Sequence, residues 1–435
     1  MDDPPIRGMA ELSESQPIGG MVEPSDSEPA GSCAAGTDGI TPIRTALEFF
    51  SGIGGLHYAF MRAAHPDARM LTAFDVDDAA GRTYRHNFPD TRLSAADIAS
   101  LKASDLEALA ADAWLCSPPC QPHTRQGLQL GDSDRRSKAL THLVNLLDNG
   151  TEAMLPRALL LENVVGFESS SARGRLHAVL LRRGFSVREF WVSPCHVGVP
   201  NQRTRYFLLA RRDCELAQPS DLLAPLLLDP ATVAAACARE EPLVAPRGRV
   251  DASLQATCAP LAQFLGAVAA STETSETAVS EHILERYGRG FDLVGRASRR
   301  STAFTKNYTR YFKGTGSVVC DGAGTAADGA TGAGNDGSGA AELSANVPEQ
   351  LPAEGDDKTL EVLRPLRPRF FTPREIANVH GFPQSFAFPP SVGRKKQYEL
   401  LGNSLSVDVV AALLRYLLDD GATKPFNSDR TLANK

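Results

Sequence analysis

Thr45-Ala46-Leu47-Glu48-Phe49-Phe50-Ser51-Gly52-Ile53-Gly54-Gly55-Leu56 is an apolar run that breaks on a glycine cluster. Its first six residues read as a buried strand, and Leu56 to Ala64 has helical periodicity, so the stretch predicts strand, glycine turn and helix. A turn without side chains lets its backbone approach a ligand, and the N-terminus of the next helix favours a negative group. The cluster is not the full six-residue dinucleotide pattern, so a purely structural turn stays open at this point. Met70-Leu71-Thr72-Ala73-Phe74 reads as a second strand ending in Asp75, roughly twenty residues past the turn, where α/β folds bind ribose hydroxyls. Asp97-Ile98 is similarly placed to meet an adenine ring and its amino group, although an acid at either position also serves as a turn or helix cap.

Working outward, Ala79 to Asn87 reads as a helix, Ala113 to Leu115 and Ala158 to Leu161 as strands, Leu176 to Arg182 as a helix, and Ser186 to Val192 and Arg205 to Ala210 as strands. Strands alternating with helices predict a mostly parallel α/β sheet. Past Arg212 the pattern dissolves into an irregular stretch rich in Ala, Pro and Ser, with islands at 280–287 and 304–319. Order returns where Thr372 is placed to cap a helix, with Pro373 at its first position and Glu375 at its third. A final helix, Ser406 to Leu418, follows Gly402-Asn403-Ser404. The expected organisation is an N-terminal extension (1–40), a first catalytic part (41–212), a recognition region (213–368) with a low-complexity insert (321–358), a second catalytic part (369–420) and a tail (421–435).

Residues 1–40 and 321–358 are poor in core-forming side chains and are expected to be disordered. Each holds eight acids and one base, so although the whole chain carries −7, the remainder carries +7. The expected folded part is therefore basic, with clusters at Arg299-Arg300, Lys306, Arg310 and Lys313, at Arg364, Arg367 and Arg369, and at Arg394-Lys395-Lys396, as suits a nucleic-acid partner. Eight scattered cysteines, no secretory signal and no apolar run long enough to span a membrane predict a reduced, intracellular protein without a membrane partner. Cys116, Cys120 and His123 have metal-like spacing, but no second cluster completes a tetrahedral set, so no metal is expected.

Pro118-Pro119-Cys120-Gln121 follows the apolar segment Ala113-Trp114-Leu115 and puts a thiol on a turn stiffened by two prolines. Such a thiol is a nucleophile only as a thiolate, and Thr124, Arg125, Arg135 and Arg136 are candidates for an electropositive setting. Glu162 ends an apolar strand, where open parallel sheets place active sites and where burial raises a carboxyl pKa and suits it to deliver a proton; a salt-bridged glutamate at a strand end is the open alternative. Arg203 and Arg205 alternate at the entry to a strand, so both are expected on one face, binding phosphate or carbonyl oxygens, with a structural ion pair as the open rival.

Glu48 to His57, Phe74-Asp75-Val76, Ser117-Pro118-Pro119-Cys120-Gln121, Glu162-Asn163-Val164, Arg203-Thr204-Arg205 and Leu401-Gly402-Asn403-Ser404 together resemble the cytosine-5 methyltransferases, in that family's order. The extended segments 117–125, 161–168 and 200–206 resemble its eukaryotic branch that methylates aspartate tRNA. Phe304, Thr305 and Tyr308 also match that branch, whereas Ala303 stands where it has a cysteine.

The resemblance implies a Rossmann-like, seven-stranded α/β domain with a small target-recognition domain. The implied methyl donor is S-adenosylmethionine, leaving S-adenosylhomocysteine, held by Ser51, Ile53, Gly54, Gly55, Leu56, Asp75, Val76, Asp97, Ile98, Ser117, Asn403 and Ser404. Cys120 is implied to attack C6 of an extruded cytosine, with Glu162 on N3 and the amino group and with Arg203 and Arg205 holding the base. The implied substrate is cytosine 38 of aspartate tRNA; the rivals are a DNA cytosine-5 methyltransferase and a nucleic-acid-binding protein that has lost catalysis, against which the retained Cys120, Glu162 and both arginines argue. The protein is expected to act as a monomer in cytoplasm or nucleus.

Overall fold

A computed structural model describes residues 41–119, 135–219, 223, 226–229, 250–266, 276–322 and 359–419. The N-terminal extension, the insert beyond Gly322, the tail, and Cys120 with the segment through Asp134 lie outside the described residues. The first part runs β1 (Thr45–Phe49), α1 (Gly55–Ala63), β2 (Arg69–Phe74), α2 (Asp78–Asn87), β3 (Arg92–Ser94), α3 (Ala103–Leu109), β4 (Ala113–Cys116), α4 (Arg135–Asn149), β5 (Ala158–Val164), α5 (Ser171–Arg182), β6 (Ser186–Val192) and β7 (Arg205–Arg211).

The seven strands form one sheet in the order β3-β2-β1-β4-β5-β7-β6, parallel from β3 through β5. The predicted mostly parallel α/β sheet is thus present, with one departure: β7 lies between β5 and β6 and runs antiparallel to both. A parallel return needs a crossover, usually a full helix, and the segment from Ser193 to Thr204 has only one short 3-10 turn.

Successive strand residues feed opposite faces, so Ala46, Leu115 and Leu160 pack with α1, whereas Leu47, Trp114 and Leu161 pack with Leu140, Leu143, Val144 and Leu147 of α4.

The second part comprises α6 (Ala252–Thr257), α7 (Glu281–Tyr287), β8 (Asp292–Val294), β9 (Ser317–Cys320), α8 (Thr359–Leu363) and β10 (Pro368–Phe370). Its sheet has the order β10-β9-β8, and β10 pairs antiparallel with β9. The small sheet therefore runs through Phe370, past the boundary expected at 368.

The chain then returns to the large domain through α9 (Pro373–Val379), α10 (Arg394–Asn403) and α11 (Val407–Leu418). As predicted, Thr372 Oγ accepts from Glu375 N at 3.2 Å, and Thr372 N donates back to the Glu375 carboxylate at 2.8 Å. Arg62 in the last turn of α1 donates to Asp408 of α11 at 2.6 Å and to Gly381 O at 2.9 Å, tying the returning chain to α1.

Within Arg394–Leu418 one 18-residue window is apolar enough, by composition alone, to cross a membrane. The segment is two helices broken at Ser404-Leu405-Ser406, and 67% of that window is buried inside the fold, as in a core helix.

Glu48 in β1 is fully buried, and its carboxylate accepts from His57 N at 3.2 Å. Burial pushes its pKa up to about 8, against the hydrogen bond from Tyr84. The folded protein thus holds a proton there that the unfolded chain releases above its ordinary value of 4.5. Stability is therefore expected to fall as pH rises from about 4.5 towards about 8, by at most about 1.4 kcal/mol per pH unit. Glu48→Gln keeps the neutral shape and removes this dependence. Urea unfolding should show the variant more stable than the parent at pH 8 and no more stable at pH 4.5. Parallel pH profiles for the two would reject the assignment.

Candidate active site

The ends of β1, β2, β4 and β5 lie side by side, because Phe49 is in register with Phe74 and Cys116, and Cys116 with Leu161. The strand order reverses between β1 and β4, which is where an open α/β sheet forms a crevice. On one side stands the glycine turn. It begins with Phe50 in the left-handed region (φ 60°), an unusual position for a bulky residue and one that persists where the surroundings enforce it.

Gly54 (φ 85°) and Gly55 are explained by packing. A Cβ on Gly54 would lie 2.4 Å from the Phe88 ring, and one on Gly55 would lie 3.0 Å from Leu405 Cδ1 and 3.3 Å from Ser404 Oγ. Gly52 differs: its Cβ direction opens into empty space, and its N donates to Asp75 Oδ2 at 2.7 Å. The other Asp75 oxygen accepts from Asp77 N at 2.8 Å. Burial raises the Asp75 pKa, while these backbone donors pull it back down.

Opposite the glycine turn, Ser117 Oγ donates to Glu162 Oε2 at 2.8 Å, and Arg205 Nε lies 3.5 Å from Glu162 Oε1. Glu162 is buried, while Arg205 is only half-buried. The sequence reading put Glu162 at the end of this strand, and the strand continues two residues further to Val164 because Glu162, Asn163 and Val164 pair with Phe207, Tyr206 and Arg205. The side chain of Asn163, absent from the predicted site residues, donates to Pro118 O at 3.2 Å. It thereby holds the Pro118-Pro119 turn leading to Cys120, which itself lies outside the described residues. Its signal was its place directly after Glu162.

The structure separates the two arginines that the sequence put together. Arg203 is buried and donates to Phe304 O at 2.7 Å, to Gly402 O at 3.0 Å and to Ser404 O. It ties three main-chain segments together and does not share a face with Arg205, because β7 begins only at Arg205 and strand alternation does not extend back to it. His380, also missed, is fully buried nearby. Burial, then the charges of Arg203 and Arg205, hold its pKa well below the usual histidine value, so it is neutral near pH 7.

The remaining predicted positions divide by exposure. The side chains of Ile53, Leu56 and Ile98 are buried in the cores, so only their backbone is available to a ligand. Asp97 is exposed and caps the 3-10 turn Ile98–Ser100 through Ala99 N at 2.9 Å. Asn403 is exposed and Ser404 half-buried beside Gly55.

Three observations fit these residues to S-adenosylmethionine. Ser51 Oγ is buried among the described residues without a hydrogen-bond partner. The Cβ direction of Gly52 is open beside it. Val76, an apolar side chain, is 68% exposed directly after Asp75, as a surface for a purine ring would be. Asp75 uses one lone pair on each oxygen for backbone donors and retains others for hydroxyls.

Comparison with known proteins agrees with this geometry. The family model for C-5 cytosine-specific DNA methylases matches residues 44–419. A tRNA (cytosine(38)-C(5))-methyltransferase of Mus musculus is 35% identical over 413 residues, covering 87% of this chain and 94% of that protein. A DNA (cytosine-5)-methyltransferase of Dictyostelium discoideum is 30% identical over 386 residues, covering 86% and 93%. The crystal structure of a Spodoptera frugiperda DNMT2 mutant aligns with TM-score 0.63 at 30% identity, over 86% of this chain and 100% of that one. With a switch-point crevice, an S-adenosylmethionine-compatible turn and a glutamate facing it, the chain belongs to the C-5 cytosine-specific DNA methylase family, S-adenosylmethionine-dependent enzymes that methylate C5 of cytosine.

Proposed function

We propose that this protein methylates C5 of cytosine 38 in the anticodon loop of aspartate tRNA through a covalent adduct on Cys120. The observation that carries the chemistry is the Glu162 carboxyl group, held between Ser117 and Arg205 beside the turn that leads to Cys120. The substrate reading is supported by the names of relatives such as the Mus musculus tRNA enzyme, whose length the chain almost wholly covers. An anticodon loop also lowers the cost of extruding a base.

The Cys120 thiolate adds to C6, forming a C–S bond and pushing electron density through the ring towards N3. Glu162 in its protonated form stabilises that charge by hydrogen bonding at N3 and accepts from the 4-amino group through its carbonyl oxygen, leaving C5 enamine-like. S-adenosylmethionine, when bound, supplies the electrophilic methyl group for that carbon. The C5 proton then leaves to water and the C–S bond breaks, restoring the aromatic ring and the thiolate. Arg205 orients Glu162 and the base, Asn163 positions the cysteine turn, and Ser51, Gly52, Asp75 and Val76 hold the methyl donor.

Incubation with labelled donor and, side by side, aspartate tRNA and duplex DNA tests this. Label is expected on tRNA at a single cytosine. Methylation of DNA with none on tRNA would establish the rival reading, which the Dictyostelium discoideum relative's name favours.

A further inference from the structure

Five free cysteines lie among the described residues, and the methyl-transfer chemistry uses none of them. Two of them meet from segments 63 residues apart. Cys195 stands in the 3-10 turn Pro194–Val197 that follows β6, and Cys258 is the C-cap of α6. The Cys258 sulfur lies 3.7 Å from Cys195 O and within hydrogen-bonding reach of the Cys195 sulfur. The backbones around them are tied as well: Ala259 N donates to Gly198 O at 2.9 Å, and Arg299 donates to Cys258 O.

The two sulfurs differ in character. The Cys258 thiol, by hydrogen bonding to Cys195, pulls the Cys195 pKa below the usual cysteine value, against the burial that raises it. The same bond, and then burial, push the Cys258 pKa up, so it stays a thiol. One member of the pair is thus the readier thiolate and the other the resolving thiol. Both are buried, so reaction waits on an opening of their cover. That cover is slight on one side. The last turn of α6 lies against the Cys258 sulfur, 3.6 Å from Leu254 O, yet α6 has six residues and none of them is buried. A short, exposed helix of this kind opens at small cost.

Cys195 also sits where a change is felt. As a thiol its Sγ donates to Asn201 O at 3.3 Å, a carbonyl that also accepts from Ser193 Oγ at 3.2 Å. Ser193 Oγ in turn accepts from Arg203 N at 3.2 Å. The pair therefore joins α6 to the turn leading into Arg203.

We propose that Cys195 and Cys258 are an oxidative modification site, which a peroxide closes into a reversible disulfide that clamps α6 to the turn leading into Arg203. The Cys195 thiolate attacks one peroxide oxygen, forming an S–O bond as the O–O bond breaks and hydroxide leaves. The Cys258 sulfur then attacks the Cys195 sulfur, and the oxygen departs as water with the Cys258 proton. With the Cys195 proton neutralising the hydroxide, two thiols lose two electrons and one peroxide becomes two waters. The site does not depend on which nucleic acid is methylated.

The test uses the full chain carrying Cys120→Ala, so that the catalytic thiol does not compete. After hydrogen peroxide treatment, quenching and denaturation, two of the seven remaining cysteines are expected to resist alkylation. Non-reducing peptide mapping should find Cys195 joined to Cys258, and dithiothreitol should restore both thiols. Closing a loop of this length should raise the urea midpoint of the oxidised protein by roughly 1 M over the reduced. Cys195→Ser and Cys258→Ser, each added to the same background, should lose the cross-link and the midpoint shift, with S-adenosylhomocysteine affinity as the check on the fold. The mapping is done on the intact pair, so it stands even where a variant fails to fold. Both thiols free after peroxide that fully oxidises glutathione in parallel, or both blocked without being joined to each other, would overturn the inference.

Discussion

Cys120→Ala is expected to abolish methyl transfer, by about 10⁴-fold or more, while leaving the fold and the affinity for S-adenosylhomocysteine unchanged. The size follows from losing the group that forms the covalent bond, because hydrogen bonding from Glu162 alone cannot make C5 a nucleophile. The fold should persist because the contacts that shape the neighbouring turn, Ser117 to Glu162 and Asn163 to Pro118 O, do not use the thiol. Cys116, four residues earlier, is a poor substitute: it is buried, and burial drives its pKa far up, so it remains a thiol. The measurement pairs turnover with trapping on RNA containing 5-fluorocytosine. The wild type should form a denaturation-resistant adduct and the variant none. Normal turnover in the variant would place the nucleophile elsewhere or remove the covalent mechanism.

Arg203→Ala should cost about 3–5 kcal/mol of stability, whereas Arg205→Ala should cost less than about 1 kcal/mol yet lower kcat by about 10²–10³-fold. Arg203 is buried, and its removal leaves the carbonyls of Phe304, Gly402 and Ser404 without this charged donor. Because Ser404 lies against Gly55, the same change should weaken binding of the methyl donor. Arg203→Lys keeps the charge but loses the planar fork that reaches several acceptors at once, so it should recover only part of the loss. Arg205 is half-buried and approaches Glu162 from the solvent side, so its truncation leaves little uncompensated. Urea unfolding of the three variants, set beside kcat and S-adenosylhomocysteine affinity, separates the roles. Equal unfolding midpoints for Arg203→Ala and wild type would show that the tie is not structural.

Much of the large domain is legible in the sequence because its signals are local. The strand, glycine turn and helix at 45–63 follow from an apolar run, a cluster of glycines and a 3.6-residue period, and the cap at Thr372 follows from residues three apart. Helix α4 was equally legible yet missed. Leu140, Leu143, Val144 and Leu147 have helical spacing, but the polar start Arg135-Arg136-Ser137-Lys138 conceals where the helix begins. The charged loop at 305–315 could be read as basic, but not as outward-facing, until Tyr308 and Phe312 were seen to be buried or packed beneath it.

The sequence by itself determined the α/β class, the order of the motifs and the residue types available for chemistry. Only the tertiary structure decided which of those residues meet. Arg203 and Arg205 are two apart in sequence, yet one spans separations of 101, 199 and 201 residues to bind three carbonyls, and the other turns to Glu162. Strand periodicity assigns a face only within a strand, and which acceptors surround a side chain depends on distant segments whose arrival no local pattern encodes.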